Sequence, residues 1–100
     1  MTLGKFLLAT LAAGVAFPAV AAVTVIGNSS ARLCYEAAES EIFARSSLAY
    51  CNRALNEDAL TAQDMVATHV NRGILLIRGC KVDQAIADFD RSIVLDRNEP

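Results

Sequence analysis

From Ala31 onward the chain carries very few of the residues that interrupt helices. Proline occurs only at Pro100, and glycine occurs only at Gly73 and Gly79. A proline costs a helix interior about 3 kcal/mol and a glycine about 1 kcal/mol relative to alanine, so their scarcity over this length favours helices. We therefore predict an all-α fold for this part of the chain.

Four amphipathic runs divide this region. Apolar residues recur at spacings of three and four, which predicts helices over about 31–41, 45–58 and 62–78 and a fourth helix that follows residue 83. The connections between these runs are short. Short connections predict antiparallel helical hairpins.

Residues that favour helix ends stand at the expected places. Ser29 or Ser30 is expected to cap the first helix with its hydroxyl. Thr61, with an acidic residue three positions later, forms a capping-box pattern before the third helix. We expect Gly79 to end that helix in the left-handed conformation, and Asp83 to cap the fourth.

The N-terminal stretch MTLGKFLLATLAAGVAFPAVAA has the pattern of a secretory signal peptide. A single charge, Lys5, precedes an apolar run, and small residues then form an A-x-A cleavage site. We expect cleavage after Ala21 or Ala22, so that residues 1–22 are removed and the protein is periplasmic or secreted. The alternative is a retained membrane anchor at 6–22, but this segment is at the short limit for a bilayer span.

Composition argues against several functional classes. The formal net charge is −2, tryptophan is absent, and no basic stripe runs along any predicted helix, so nucleic-acid binding has little support. No serine triad, phosphate-binding glycine loop or metal-ligand spacing is present. We expect no catalysis, no cofactor, no metal and no small-molecule substrate.

The second and fourth runs are similar to one another. Aligning SLAYCNRALNED with AIADFDRSIVLD places Leu48 on Ile86, Cys51 on Phe89 and Asp58 on Asp96, among other matches. The chain thus contains one helix–turn–helix unit in two copies.

The segment ATHVNRGILLIRGCKVDQAIADFDRSIVLD resembles a tetratricopeptide repeat, a helical hairpin of about 34 residues. Gly73 matches the small residue of the family's first helix, and Ala85 and Phe89 match the small and aromatic residues of its second. The resemblance implies an α-solenoid fragment of about two repeats. The clearer repeat covers 62–100, where Gly73 is expected to lie against Ala85 and allow a close crossing. After an extended leader over residues 23–30, residues 31–61 are expected to form a degenerate copy with Tyr35 at the glycine position.

The three cysteines differ in context. Cys34 and Cys51 lie within apolar stripes of the first and second predicted helices, at positions that face each other across such a hairpin. In an exported protein this favours a disulfide, which would contribute about 3 kcal/mol. The alternative is two small buried apolar residues. Cys80 is the odd cysteine and is expected in an exposed turn.

An alternative class of function uses Cys80. A small thiol- or metal-dependent protein would combine Cys80 with His69 or with the other two cysteines. The sequence offers no C-x-x-C or H-x-x-x-H spacing for a metal. His69 and Cys80 are expected at opposite ends of one helix, and His69 is better interpreted as a packed helix residue.

The resemblance implies a function in binding proteins or peptides. In such repeats, first helices line a groove that takes up extended peptides or partner helices. Val70 and Ile74 have an equally good interpretation as core residues, and Arg78 as a residue that favours a helix C-terminus. Because stacked repeats need neighbours, we also expect either self-association or further repeats after Pro100, and favour the latter. The residues expected to face the groove are Arg32, Glu36, Val70, Asn71, Ile74 and Arg78.

Overall fold

The computed structural model describes residues 21–27, 29–40 and 45–98. Within these ranges the fold is all-α, as predicted, and contains no strand. None of the helices in this part of the chain is long and apolar enough to cross a membrane. Residues 1–20, which hold most of the predicted signal peptide, lie outside the described residues. The helices are α1 (Ser30–Glu39), α2 (Ser47–Glu57), α3 (Ala62–Arg78) and α4 (Val82–Arg97).

Two of the predicted helix caps are present. The Ser29 hydroxyl accepts a hydrogen bond from the backbone N–H of Arg32 at 3.3 Å. The Thr61 hydroxyl accepts one from the N–H of Asp64 at 3.1 Å. Each bond satisfies a backbone donor that has no partner inside the first turn.

The prediction that Asp83 caps α4 is wrong. The helix begins one residue earlier, at Val82, and Lys81 stands at the cap position without a side-chain hydrogen bond. Asp83 lies in the first helical turn instead, where its negative charge is favourable near the positive end of the helix dipole.

The end of α3 also differs from the prediction. Gly79 has a φ of −86°, and the left-handed residue is Cys80, with a φ of 61°. The N–H of Cys80 donates to the carbonyl of Ile77 at 2.9 Å, and that of Lys81 donates to the carbonyl of Leu76 at 2.8 Å. These two bonds form a Schellman motif in which cysteine occupies the position that usually holds glycine. A non-glycine residue there costs about 1–2 kcal/mol.

The core lies where α1, α2 and α3 meet. One group of buried residues contains Cys34 and Ala38 from α1, Cys51 from α2, and Ile74 and Leu75 from α3. A second group joins α1, α2 and α3 to the segment before α1 through Val25, Ala31, Ala54 and Ala67. Most of these side chains are small, so the helices approach closely.

A disulfide ties α1 to α2 inside this core. The sulfur atoms of Cys34 and Cys51 are 2.07 Å apart, and the two Cα atoms are 4.8 Å apart. The pairing expected from the sequence is therefore present in the structure. Cys80 is exposed and is not disulfide-bonded.

Gly73 makes room for an aromatic ring on α4. A Cβ atom at Gly73 would lie 2.5 Å from Cε1 of Phe89 and 2.9 Å from two further ring carbons. The close neighbour of Gly73 is thus Phe89 rather than Ala85, although Ala85 is also fully buried. The glycine is needed because the Phe89 ring fills the space in which a side chain would stand.

Helix α4 has one apolar face, of which the described residues cover only a part. Among the described residues it packs only against α3. Ala85 and Phe89 face that contact, whereas Ile86 and Ile93 are 50% and 57% exposed. The predicted single apolar face of α4 therefore divides between a buried side and a side that the described residues leave open.

The contact between Gly73 and Phe89 generates a stability prediction. In the substitution Gly73→Ala, the added methyl group overpacks the ring at a cost of about 1–3 kcal/mol. This cost exceeds the roughly 1 kcal/mol gained in helix propensity. We expect the free energy of unfolding, measured by chemical denaturation, to fall by about 1 kcal/mol. In a Phe89→Leu background the ring is absent and the same substitution should be neutral or stabilising. A stabilising effect in the wild-type background would contradict this account.

Candidate functional site

The segment before α1 lies across α1 and α3 and is held by Asn71. The backbone N–H of Val23 donates to Oδ1 of Asn71 at 2.8 Å, and Nδ2 of Asn71 donates to the carbonyl oxygen of Val23 at 2.8 Å. Paired strands exchange N–H and C=O bonds in the same way at a hydrogen-bonded residue pair. The Asn71 side chain therefore takes the place of a neighbouring strand for one residue.

These two hydrogen bonds satisfy a side chain that is buried. Asn71 is fully buried in the middle of α3. A buried amide without partners costs about 1–3 kcal/mol, so the fold needs a backbone segment at this place. Residues 23–27, which belong to the predicted leader and are called the leader below, supply that segment, and Ala22 directly precedes it.

Arg32 makes the second contact to the leader. Its Nη1 atom donates to the carbonyl oxygen of Val25 at 2.7 Å, and its Nε atom donates to Oε1 of Glu36 at 2.9 Å. The guanidinium carbon lies 5.2 Å from the centre of the Tyr35 ring, within the range of a cation–π contact. Glu36 and Tyr35 thus hold the guanidinium in the position that reaches the leader.

The leader has buried and exposed side chains. Val25 is 1% exposed and belongs to the second core group, and Ala22, which precedes the leader, packs against the first. Ile26, in contrast, is 86% exposed. We call the surface beneath the leader, formed by Ala31, Arg32, Ala67 and Asn71, the α1/α3 groove.

A cavity of about 560 Å³ continues beside the leader. It is bounded partly by the leader and partly by α3, and two carboxylates line it. Space for a further chain segment is therefore present next to the leader. The lining residues are Val23, Thr24, Ile26, Thr61, Gln63, Asp64, Val66, Ala67 and Asp96.

The other residues expected to line a groove have different surroundings. Val70 and Ile74 pack in the core, which agrees with the alternative interpretation of these two residues. Glu36 bonds Arg32 rather than the leader. Arg78 lies at the end of α3, and its Nη1 atom is buried without a hydrogen-bond partner among the described residues. Of the six expected residues, two contact the leader backbone directly.

A buried carboxylate connects α3 to α4. Asp88 accepts hydrogen bonds from Nε and Nη2 of Arg72, each at 2.8 Å, and from Nδ1 of His69 at 2.9 Å. Nη1 of Arg72 also donates to Oδ1 of Asn52 on α2, at 3.0 Å. The network therefore joins three helices.

The ionisation of Asp88 follows from these contacts. Burial raises the pKa of its carboxyl, but the hydrogen bonds and charges of His69 and Arg72 lower it by more, so that the pKa lies below its usual value. Asp88 is thus an anion that neutralises Arg72 in a largely buried position.

An open groove of about 520 Å³ lies beside this network. Its lining contains no cysteine, serine or threonine, so none of these nucleophilic side chains stands beside His69 in this groove. The lining residues are Leu48, Asn52, His69, Arg72, Leu76, Gln84, Ala87, Asp88 and Arg91.

Metal-binding side chains do not cluster in the described ranges. No group of three or more histidine, cysteine, aspartate or glutamate residues in these ranges is placed to hold a metal ion.

Comparisons with known proteins give no relative. No family model, curated protein or solved structure matches this chain.

Two features of the site were not predicted from the sequence. His69 and Arg72 stand three positions apart, which places them on one side of α3, but nothing in the sequence pairs them with Asp88. The bond between Asn71 and Val23 joins residues 48 positions apart. The sequence did contain one signal for this bond. An asparagine inside an apolar helix indicates a buried amide, and a buried amide requires a hydrogen-bond partner.

The Asp88 network generates a prediction about pH. Because the pKa of Asp88 is lower in the folded chain than the value of about 3.9 in an unfolded one, the carboxylate stabilises the fold above about pH 4. This contribution is lost as the pH falls through the folded pKa. We expect Asp88→Asn to reduce the free energy of unfolding by about 1–3 kcal/mol at pH 7. The difference from wild type should shrink below about pH 4.

Urea denaturation at a series of pH values checks this prediction. Asp90→Asn is the matched control, since Asp90 lies on the same helix and is exposed. It should change the free energy of unfolding by less than about 0.5 kcal/mol. A difference between Asp88→Asn and wild type that stays constant from pH 7 to pH 3 would show that the charge of Asp88 does not stabilise the fold.

Proposed function

We propose that this protein is a non-catalytic protein-interaction module of the tetratricopeptide type, which binds extended chain segments in the α1/α3 groove. The hydrogen bonds between Asn71 and the Val23 backbone are the observation that carries the proposal. They are directed at backbone atoms, as in modules that recognise peptides through main-chain hydrogen bonds. The leader demonstrates which kind of chain segment this surface accommodates.

The contacts between helices support the tetratricopeptide type. In the second copy, Phe89 of α4 fills the space at Gly73 of α3. In the first copy, Cys51 takes the position equivalent to Phe89 and bonds to Cys34 of α1. Phe89 and Cys51, which occupy equivalent positions of the two copies, thus each contact the first helix of their pair. Cys34 stands one position before the equivalent of Gly73. This agrees with two related hairpins.

The exposed apolar residues of α4 support the assignment as a repeat protein. Val82, Ile86 and Ile93 are exposed on this helix. In stacked repeats the corresponding surface packs against a neighbour. We propose that a further repeat or a second copy of the chain covers it.

We also propose that the protein works outside the cytoplasm, in the periplasm or secreted. The disulfide between Cys34 and Cys51 supports this location, since such bonds persist in oxidising compartments. The apolar N-terminal segment is proposed to direct export.

Intact mass of the protein from its native host, alkylated with and without prior reduction, tests location and function class together. We expect a chain that starts at Ala22 or Val23, with one alkylated thiol before reduction and three after. A chain that starts at Met1 would contradict signal cleavage and favour the anchor. Three reactive thiols without reduction would contradict the disulfide and favour the thiol- or metal-dependent alternative based on Cys80 and His69.

Site-specific photo-crosslinking in the native host tests the binding function. A photoreactive amino acid in place of Gln63, which is exposed beside the leader, should form adducts with another protein. The same amino acid in place of Asn56, exposed on α2 and outside this cavity, serves as the matched control and should form few. Equal labelling at the two positions, or none at either, would contradict binding at the α1/α3 groove.

A further inference from the structure

We propose that the leader is an exchangeable occupant of the α1/α3 groove, and that it competes with an extended segment of another protein. That segment carries valine two positions after the residue whose backbone bonds Asn71. This inference rests on the proposed function, and it adds both the sequence class of the partner segment and an intramolecular competitor.

The hydrogen bonds that hold the leader would restrict only the backbone of a partner segment. Among the described residues, the leader makes three hydrogen bonds to side chains, and all three use its backbone atoms. Any extended segment supplies the same N–H and C=O groups. Proline at the position of Val23 is excluded, because it lacks the N–H that donates to Asn71.

The apolar contacts define one side chain of the partner. Val25 is buried among the small residues Ala31, Ala54 and Ala67. Thr24 and Ile26 are exposed, so the groove places no restriction on the corresponding residues of a partner.

The link between the leader and α1 favours exchange. Gly27 has a φ of 115°, and apart from its two chain neighbours no atom of the described residues lies within 4 Å of the place where its Cβ would be. The leader therefore ends at a glycine that no other described part of the chain approaches at this place. Because the leader is covalently attached, its effective concentration at the groove is on the order of millimolar. A partner segment must overcome this competition, which reduces its apparent affinity.

Weakening the leader without changing the groove tests the inference. The probe is the peptide acetyl-VTVIG-amide, which copies residues 23–27 and carries a fluorophore. It is titrated with the mature protein and followed by fluorescence anisotropy. Val25→Asp removes the buried side chain of the leader, and Val23→Pro removes its N–H donor. Two independent variants guard against a folding defect in either one, and circular dichroism monitors helix content. Ile26→Asp is the matched control, since Ile26 belongs to the leader but is exposed.

We expect Val25→Asp and Val23→Pro to bind the peptide at least about tenfold more tightly than wild type, because the competing occupant is weakened. Ile26→Asp should bind as wild type does. A peptide with proline at the position of Val23, or with aspartate at that of Val25, should bind at least about tenfold more weakly to each protein.

The other outcomes separate this inference from the proposed function. If wild type and all leader variants bind the peptide equally tightly, the peptide binds beside the leader rather than in its place, and the inference is overturned while a peptide-binding function stands. If no folded variant binds the peptide, the leader is a fixed part of the fold. That result overturns the inference together with the proposed peptide site.

Discussion

The amide of Asn71 is the group on which the arrangement of this surface depends. It is fully buried inside a helix whose own backbone bonds are already made, so its donor and its acceptor must both find partners elsewhere. The backbone of Val23 satisfies both. Once Val23 is placed, Ala22 and Val25 on either side of it reach the two core groups. One polar side chain thus determines where an otherwise irregular segment lies.

The two helices of each pair are brought together by different contacts. In the pair α3–α4 a glycine, Gly73, admits the ring of Phe89 between the helices. In the pair α1–α2 the residue at the glycine position is Tyr35, and the close contact is made by the disulfide from Cys51 to Cys34. The covalent bond holds together a pair that lacks the glycine, at a place where the chain has few large apolar residues.

Much of this fold follows from local sequence signals, whereas the site does not. The bounds of α3, the caps at Ser29 and Thr61 and the Cys34–Cys51 pairing depend on residue type, spacing and position along a helix, which the sequence displays. The prediction for Gly79 was wrong by one residue, because the left-handed position falls on Cys80. The contacts of Asn71 and Asp88 join distant residues, and only tertiary packing determines them.

The central claim is that the Asn71 amide is bonded to the leader in solution. Hydrogen exchange of its side-chain amide protons, followed by nuclear magnetic resonance, measures this directly. Asn56, which is exposed on α2, provides the reference within the same molecule. The account predicts that the Asn71 amide exchanges at least about tenfold more slowly than that of Asn56, because the leader must open first. Equal exchange rates for the two side chains would contradict it.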